Sequence, residues 1–401
     1  MTASERSPDG TPQPLDGVRV LDLTSLGMGP LATQALGDMG ADVIKLEAPD
    51  GDVFRHVVPQ GTAGMSHTFL QFNRNKRSVV LDLKSPAGQE ALERLIADCD
   101  VLVLTLRPAA AAKLGLDYER VRAIRPDVIY CAAYGYAEGG PYAGRPAMDD
   151  TIQAMCGLAW LQRAVSGKEQ LVANVVADKA TGLTIVNAVL AAIIHRMKTG
   201  EGQSIEVPMF ETMVAFTMPE HMAGQSFVPS KGEAGYARVI NPDRRPFRTA
   251  DGWLSVVPYT TAQWLRFLRL IGRDDMADDP QIADPVHRSH MFRELYGLID
   301  AAMPTRTTAE WRALLLEHDI LFGDVNSPED LLADQQLAAR DMFVTVEHPT
   351  EGMIRLLGFP VTFSATPSRL RRLPPKLGQD NHEVLSELGF SADEIRKMGA
   401  A

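Results

Sequence analysis

The sequence predicts an α/β protein with a mainly parallel sheet and a smaller second domain. Three observations carry this. Short apolar runs alternate with helical segments from Val18 to Val207, Ser and Pro stand where helices should begin, and the pattern changes between residues 225 and 335 before strand-like runs return. Strands separated by helices call for crossover connections, hence parallel pairing with helices on both faces. At 401 residues the chain also exceeds one ordinary compact domain.

Val18–Leu23 (VRVLDL) reads as a buried strand. Pro30 then suits the first turn of a helix running to about Met39, because its fixed φ and missing N–H fit that position. Asp42–Leu46 is the second strand and Ser78–Leu83 (SVVLDL) the third. Ser85 caps the following helix and Pro86 opens it. Val101–Leu106 and Val128–Ala133 complete the series. A long helix is expected from Lys179 to Met197, closed by Gly200, and Ser204–Val207 returns to strand. In the second domain the spacing predicts a strand at Trp253–Val257 and helices over Ala262–Ile271 and His287–Ala301. A β-rich stretch over 342–363 and helices at His382–Leu388 and Ala392–Met398 end the chain. The boundaries are a disordered tail 1–14, a large domain 15–224, a small domain 225–335 and a return to the large domain over 336–401.

Lys and Arg number 40 against 51 Asp and Glu, a net charge of −11 that argues against a nucleic-acid partner, since phosphate contacts need a basic surface. Cys99, Cys131 and Cys156 form no CxxC pair, which points away from disulfides and towards a reducing, cytoplasmic compartment. The N-terminal MTASERSPDGTPQP has no apolar core and is not expected to be a signal peptide. The longest apolar stretch, Leu183–Ile194, is interrupted by Thr and Asn and too short for a bilayer, so no membrane association is expected.

Familiar catalytic motifs are missing: no GxSxG elbow, P-loop, HExxH or Cys/His ligand set, and no metal is expected. Gly27, Gly29 and Glu47 imitate a dinucleotide fingerprint, with glycines at a helix N-terminus and an acid for a ribose. Residues Thr24–Leu26 intervene where that fingerprint needs a tight turn, and a strand–helix turn packed on the sheet is the alternative. Asp178 stands before the long helix, where most aspartates are N-caps. The same position favours the ionised carboxylate that a nucleophile must be. Lys76, Arg77, Lys84, Arg107 and Lys113 fall near strand ends and helix starts, either a phosphate-binding edge or ordinary surface charge.

Several ordered segments together are more specific. LDGVRVLDL from Leu15, Gly29-Pro30, LGDMGADVIKLE ending at Glu47 and NRNKRSVVLDLK ending at Lys84 resemble the class III CoA-transferases of the CaiB/BaiF type, the group of formyl-CoA transferase and crotonobetainyl-CoA:carnitine CoA-transferase. GYAEGGP from Gly135, Arg145-Pro-Ala, ADKATG around Asp178, KTGEGQ from Lys198 and GQDNHEVLSELG from Gly378 extend the resemblance over nearly the whole chain. It implies a Rossmann-like large domain made from both chain ends, a smaller inserted α+β domain, and two chains interlocked as a homodimer. It implies CoA transfer from an acyl-CoA to a carboxylic acid through an aspartyl anhydride and an aspartyl-CoA thioester, with acyl-CoA as substrate and no resident cofactor. The catalytic aspartate falls on Asp178. The CoA contacts fall on Gly27, Met28, Leu81, Asp82, Leu83, Lys84, Thr105, Leu106, Arg107, Lys113, Ala133, Tyr134, Gly135 and Tyr136, with Met209 near the pantetheine.

The departures also inform. Thr105, Leu106 and Ala109 replace the family's frequent Asn, aromatic and Gly; Ala48 replaces an Arg of formyl-CoA transferase, whose glycine-rich loop has no counterpart here. Formate or oxalate specificity is therefore not expected. Racemases on the same fold place a catalytic histidine where Met148 stands, which disfavours racemisation. A racemase or other CoA-thioester enzyme is the second expectation, and an NAD-dependent dehydrogenase a distant third.

Overall fold

A computed structural model of the chain describes residues 12–398, so most of the expected tail lies outside the described residues. Of its end, Gln13 is buried and its side-chain amide donates to the Pro367 carbonyl at 3.0 Å. The chain forms two compact units. The first takes the residues up to 157, then 171–217, then those from 336 on; the second takes 158–170 and 218–335.

In the first unit, β1 (Arg19–Leu23), α1 (Met28–Asp38), β2 (Asp42–Glu47), α2 (His67–Phe72), β3 (Lys76–Val80), α3 (Pro86–Asp98), β4 (Val101–Leu104), α4 (Pro108–Lys113), α5 (Tyr118–Ile124), β5 (Ile129–Tyr134) and α6 (Asp149–Met155) follow in order. Helix α7 (Leu158–Ser166) falls in the second unit, and α8 (Val176–Thr199), β6 (Gln203–Pro208) and α9 (Met209–Thr217) return to the first. The six strands pair in the order β3-β2-β1-β4-β5-β6, all parallel, with Leu21 opposite both Ile44 and Leu102. Val20 and Leu21 are both buried although their side chains point to opposite faces, which is why VRVLDL reads as a continuous apolar run. One face holds Leu21, Ile44 and Leu102 against Leu92 and Leu95 of α3, with Val384 and Leu385 from the C-terminal region completing that core.

Two sequence expectations shift by a few residues. The third strand starts at Lys76, two residues early, because both leading cations are neutralised. Lys76 Nζ lies 3.0 Å from Asp22 Oδ2, and Arg77 pairs with Asp42 and Glu387 at 2.5 and 2.7 Å. The free edge of β3 is then closed by the returning chain: Ser78 N donates to Asp380 Oδ2 (2.7 Å) and Val80 N to Asn381 Oδ1 (2.8 Å), which blunts an otherwise open edge. The long helix begins at Val176, so Asp178 lies inside its first turn. It ends on Gly200 at φ +79, a left-handed cap that glycine adopts without Cβ strain.

Helix α8 packs on α1, and Gly182 makes the approach possible: a Cβ there would come within 2.8 Å of the Met28 carbonyl. Its other side exposes Leu183, Ile194 and Met197. Among the described residues it is the one helix long and apolar enough to cross a membrane, with a mean hydropathy of 1.4. Strands β10 (Phe343–His348) and β11 (Gly352–Leu357) form an antiparallel hairpin in this unit.

The second unit has an antiparallel sheet of β7 (Phe247–Arg248), β8 (Trp253–Val257) and β9 (Leu321–Asp324). Its core centres on Trp264, Phe267, Leu295, Ile299 and Trp311. The helix expected over His287–Ala301 is broken into Pro285–Ser289 and Phe292–Ala302.

Candidate active site

All six parallel strands end on one edge, where ligands bind in open α/β sheets, and the strand order reverses between β1 and β4. The turn leaving β1 at this crevice is fixed by buried charges. Thr24 N and Oγ1 donate to Asp22 Oδ1 at 2.9 and 2.5 Å. Ser25 Oγ and Leu26 N donate to Asp52 Oδ1 at 2.9 and 3.0 Å. Lys45 Nζ donates to the Thr24 carbonyl and pairs with Asp52 Oδ2, both at 2.8 Å. Lys76 Nζ holds the Pro30 carbonyl at 3.0 Å as well as Asp22. Burial alone would raise the Asp22 carboxyl, but Lys76 and Lys45 hold it down at about 2; burial lowers Lys76 to about 8 against the pull of Asp22. These constraints keep Leu26 at φ +69, a conformation that costs a non-glycine residue about 1 kcal/mol or more.

The turn delivers Gly27 against Asp178. A Cβ at Gly27 would lie 2.5 Å from Asp178 Oδ2, so the close approach requires glycine. Gly27 is also the N-cap residue of α1, and no side chain caps that end. The first N–H groups of α1 therefore open beside the Asp178 carboxylate with the positive end of the helix dipole.

Asp178 is not the N-cap that its position before a helix suggested; Val175 is. The start of α8 is tied down from α6 instead, where Asp149 Oδ2 accepts from Asp178 N at 3.0 Å and Asp149 Oδ1 accepts from Gln153 Nε2 at 2.5 Å. This tie reverses the expected electrostatics. Burial, with the negative charges of Asp149 and Asp150, pushes the half-buried Asp178 carboxyl up to about 6, so the helix N-terminus does not dominate. Among the described residues no protein group donates a hydrogen bond to this carboxylate. It is ionised at neutral pH and more basic than an ordinary aspartate.

A rate that depends on ionised Asp178 should therefore fall on acidification with an apparent pKa near 6. A kcat/KM profile with its acidic limb in the ordinary carboxylate range near 4 would show that another group limits the reaction.

The other expected site residues divide. Ser25 N donates to Thr105 Oγ1 at 3.3 Å, which brings the ends of β1 and β4 together. Leu81 is a core residue, while Asp82, Leu83 and Lys84 form the turn after β3, with Lys84 N donating to Asp82 Oδ1 at 3.0 Å. Leu106 and Tyr134 line one cavity of about 180 Å³. Arg107 caps α4 and reaches the Gly144 carbonyl at 3.4 Å. Lys113 is exposed at the far end of α4, about 9 Å of helix away from that turn. Ala133 is buried, Tyr134 Oη donates to Glu206 at 2.6 Å, and Tyr136 packs on Phe210 beyond Gly135. Met28 and Met209 are buried at the starts of α1 and α9.

Two expectations fail on geometry. Lys76 and Arg77 start β3 with their charges spent in ion pairs, Lys76 as a buried support of the turn after β1, so neither is free to meet a ligand phosphate. Glu47 is consumed by Arg55 (2.7 Å to each oxygen), Ser78 Oγ and Asp52 N, so it has no capacity for a ribose. Gly29 is likewise explained without a dinucleotide, since a Cβ there would strike Thr24 at 2.3 Å. Sequence reasoning missed the supports, Asp22, Lys45, Asp52 and Asp149. A lysine between Ile44 and Leu46 and an aspartate between Leu21 and Leu23, each inside a buried strand, were the signals available.

Comparison with known proteins finds relatives along nearly the whole chain. The family model described as CoA-transferase family III matches residues 15–381. A succinyl-CoA:glutarate CoA-transferase of Mus musculus is 32% identical over 391 residues, covering 96% of this chain and 89% of the mouse protein. A succinate–glutarate CoA-transferase of Agrobacterium fabrum is 34% identical over 390 residues, covering 94% and 96%. A CaiB/BaiF family protein from Brucella suis superposes with a TM-score of 0.79 at 30% identity, over 94% of this chain and 100% of that one.

Proposed function

The chain belongs to CoA-transferase family III, and from that membership we propose that Asp178 carries the acyl group as CoA passes from an acyl-CoA thioester to a free carboxylic acid. The observation that carries this reading is the Asp178 carboxylate, to which none of the described residues donates a hydrogen bond, packed on Gly27 at the open N-terminus of α1.

The Asp178 carboxylate attacks the thioester carbonyl, expelling CoA thiolate and leaving an aspartyl–acyl anhydride. The thiolate then attacks the aspartyl carbonyl, releasing the donor acid and forming an aspartyl-CoA thioester. The incoming carboxylate displaces the thiolate to give a second anhydride. Thiolate attack on the new acyl carbonyl releases the product acyl-CoA and restores Asp178. Each step exchanges one acyl bond for another, so no oxidant or reductant is needed. Backbone N–H groups, those at the uncapped start of α1 among them, would be the donors to the oxyanions that develop.

The turns from β3 to β5 cover four inter-strand spacings, about 19 Å, which suits an elongated ligand such as coenzyme A. The relatives' substrates favour short dicarboxylic acids as acceptors. The test is a panel of acyl-CoA donors, succinyl-CoA included, against isotopically labelled acids, with labelled acyl-CoA read by mass spectrometry. Thioester hydrolysis without transfer to any acid would refute the proposal.

A racemase finds less support. Met148 is 60% exposed and has no titratable group, and the neighbouring Asp149 is committed to Asp178 N and Gln153. The exposed apolar stripe of α8 supports a homodimer that covers it, interlocked as the family resemblance implies, and the buried free thiols of Cys99, Cys131 and Cys156 support a cytoplasmic location.

Lys84 is an exposed cation in the turn after β3, and Lys113 an exposed cation one short helix beyond the turn after β4. Their Ala variants should each raise KM for acyl-CoA roughly three- to tenfold with little change in kcat, the mark of uniform binding. Unchanged KM in both would return them to surface charge.

A further inference from the structure

The second unit holds a cavity of about 250 Å³ lined by Arg238, Arg244 and Arg245 together with Phe247, Val256 and Tyr296. Counter-charge is short there. Arg245 pairs with Asp300 at 3.0 Å. Arg238 lies over the rings of Tyr259 and Phe292, at 5.3 and 5.8 Å from their centroids, which fixes its orientation without neutralising it. Among the described residues neither Arg238 nor Arg244 has a carboxylate within ion-pair distance, and the nearby Asp243 lies 3.9 Å from Arg293. In a chain of net charge −11, two uncompensated guanidinium groups on one concave wall select for an anion.

We propose that this cavity binds a small carboxylate with a hydrocarbon body, a short aliphatic dicarboxylate above all. A guanidinium presents paired N–H donors that match a carboxylate, and two of them match a molecule with a carboxylate at each end. Phe247, Val256 and Tyr296 supply apolar surface that an inorganic oxyanion cannot use and a methylene chain can. The binding does not depend on the transferase reading.

Calorimetry on the full chain with glutarate as the probe tests this, with inorganic phosphate as competitor. Arg244→Gln alone and Arg238→Gln/Arg244→Gln together are compared with wild type, with circular dichroism melts to confirm folding. Arg244 is exposed, so its single variant is expected to fold whatever happens to the double one. Glutarate should bind wild type, lose on the order of tenfold in affinity in Arg244→Gln and more in the double variant, and resist displacement by phosphate. No glutarate binding at millimolar concentration, equal affinity in wild type and variants, or ready displacement by phosphate would each overturn the proposal. If glutarate binding is lost in the variants but no transfer is found in wild type, the cavity stands and the transferase reading falls.

Discussion

Asp178→Asn should abolish transfer, by on the order of 10⁴-fold or more, and yet leave the protein more stable than wild type at neutral pH. The amide keeps the size of the carboxylate and loses no hydrogen bond that the described residues make to it, but it cannot form an anhydride. The stability gain follows from linkage. The folded carboxyl titrates near 6, above the ordinary 3.8, so the folded state binds the proton more tightly than the unfolded chain. That contribution is fully present below pH 3.8 and is lost as pH rises through 6. At pH 7 wild type therefore carries an ionised carboxylate that burial, Asp149 and Asp150 all disfavour, a cost of about 1–2 kcal/mol after discounting for partial exposure. Asn removes the charge, as expected where a site trades stability for activity. Thermal melts should show the variant ahead at pH 7.5 and the gap shrinking towards pH 4. Retained transfer would sink the assignment of Asp178; an equal Tm at both pH values would sink the electrostatic account of it.

The same pair of residues shows what a sequence reveals. The strands β1, β2, β4 and β5 were legible because burial on both faces leaves near-continuous apolar runs, and α3 because Ser85 and Pro86 mark its start. The ligand edge followed, since parallel strands place the residues after each of them on one side. Asp178 stood out only through the resemblance of the segment around it; by position it looked like a cap. Its true tie, Asp149 some thirty positions earlier, depends on how α6 meets α8, and no local spacing encodes that. Lys76 and Arg77 misled for the complementary reason. Cations at a predicted strand end look like ligand contacts until the partners, Asp42 on the adjacent β2 and Asp22 on β1 beyond it, are placed beside them. Glu47 likewise matched a ribose-binding acid in sequence, and only the fold brings Arg55 onto both of its oxygens.

Gly27→Ala should lower kcat by about 10²-fold while barely changing stability, which separates the geometry of the site from the integrity of the fold. Gly27 has φ −95 and ψ −52, a conformation alanine adopts readily at the start of a helix, so the backbone itself imposes no penalty. The collision is confined to one partner, because the nearest heavy atoms to the new Cβ all belong to Asp178, with Oδ2 at 2.5 Å. Either the carboxylate rotates away or the N-terminus of α1 withdraws. The turn resists the second course, because Asp52 holds Leu26 N and Lys76 holds the Pro30 carbonyl on either side of Gly27. The carboxylate should therefore yield, and displacement of a reacting group by about 1 Å is enough for a loss of that size. Gly297→Ala is the control: it lies within the helix Phe292–Ala302 with no neighbour within 4 Å of an added Cβ, so it should leave kcat unchanged and add slightly to stability. A Gly27→Ala enzyme with more than half of the wild-type kcat would mean that the carboxylate against Gly27 is not the group that reacts.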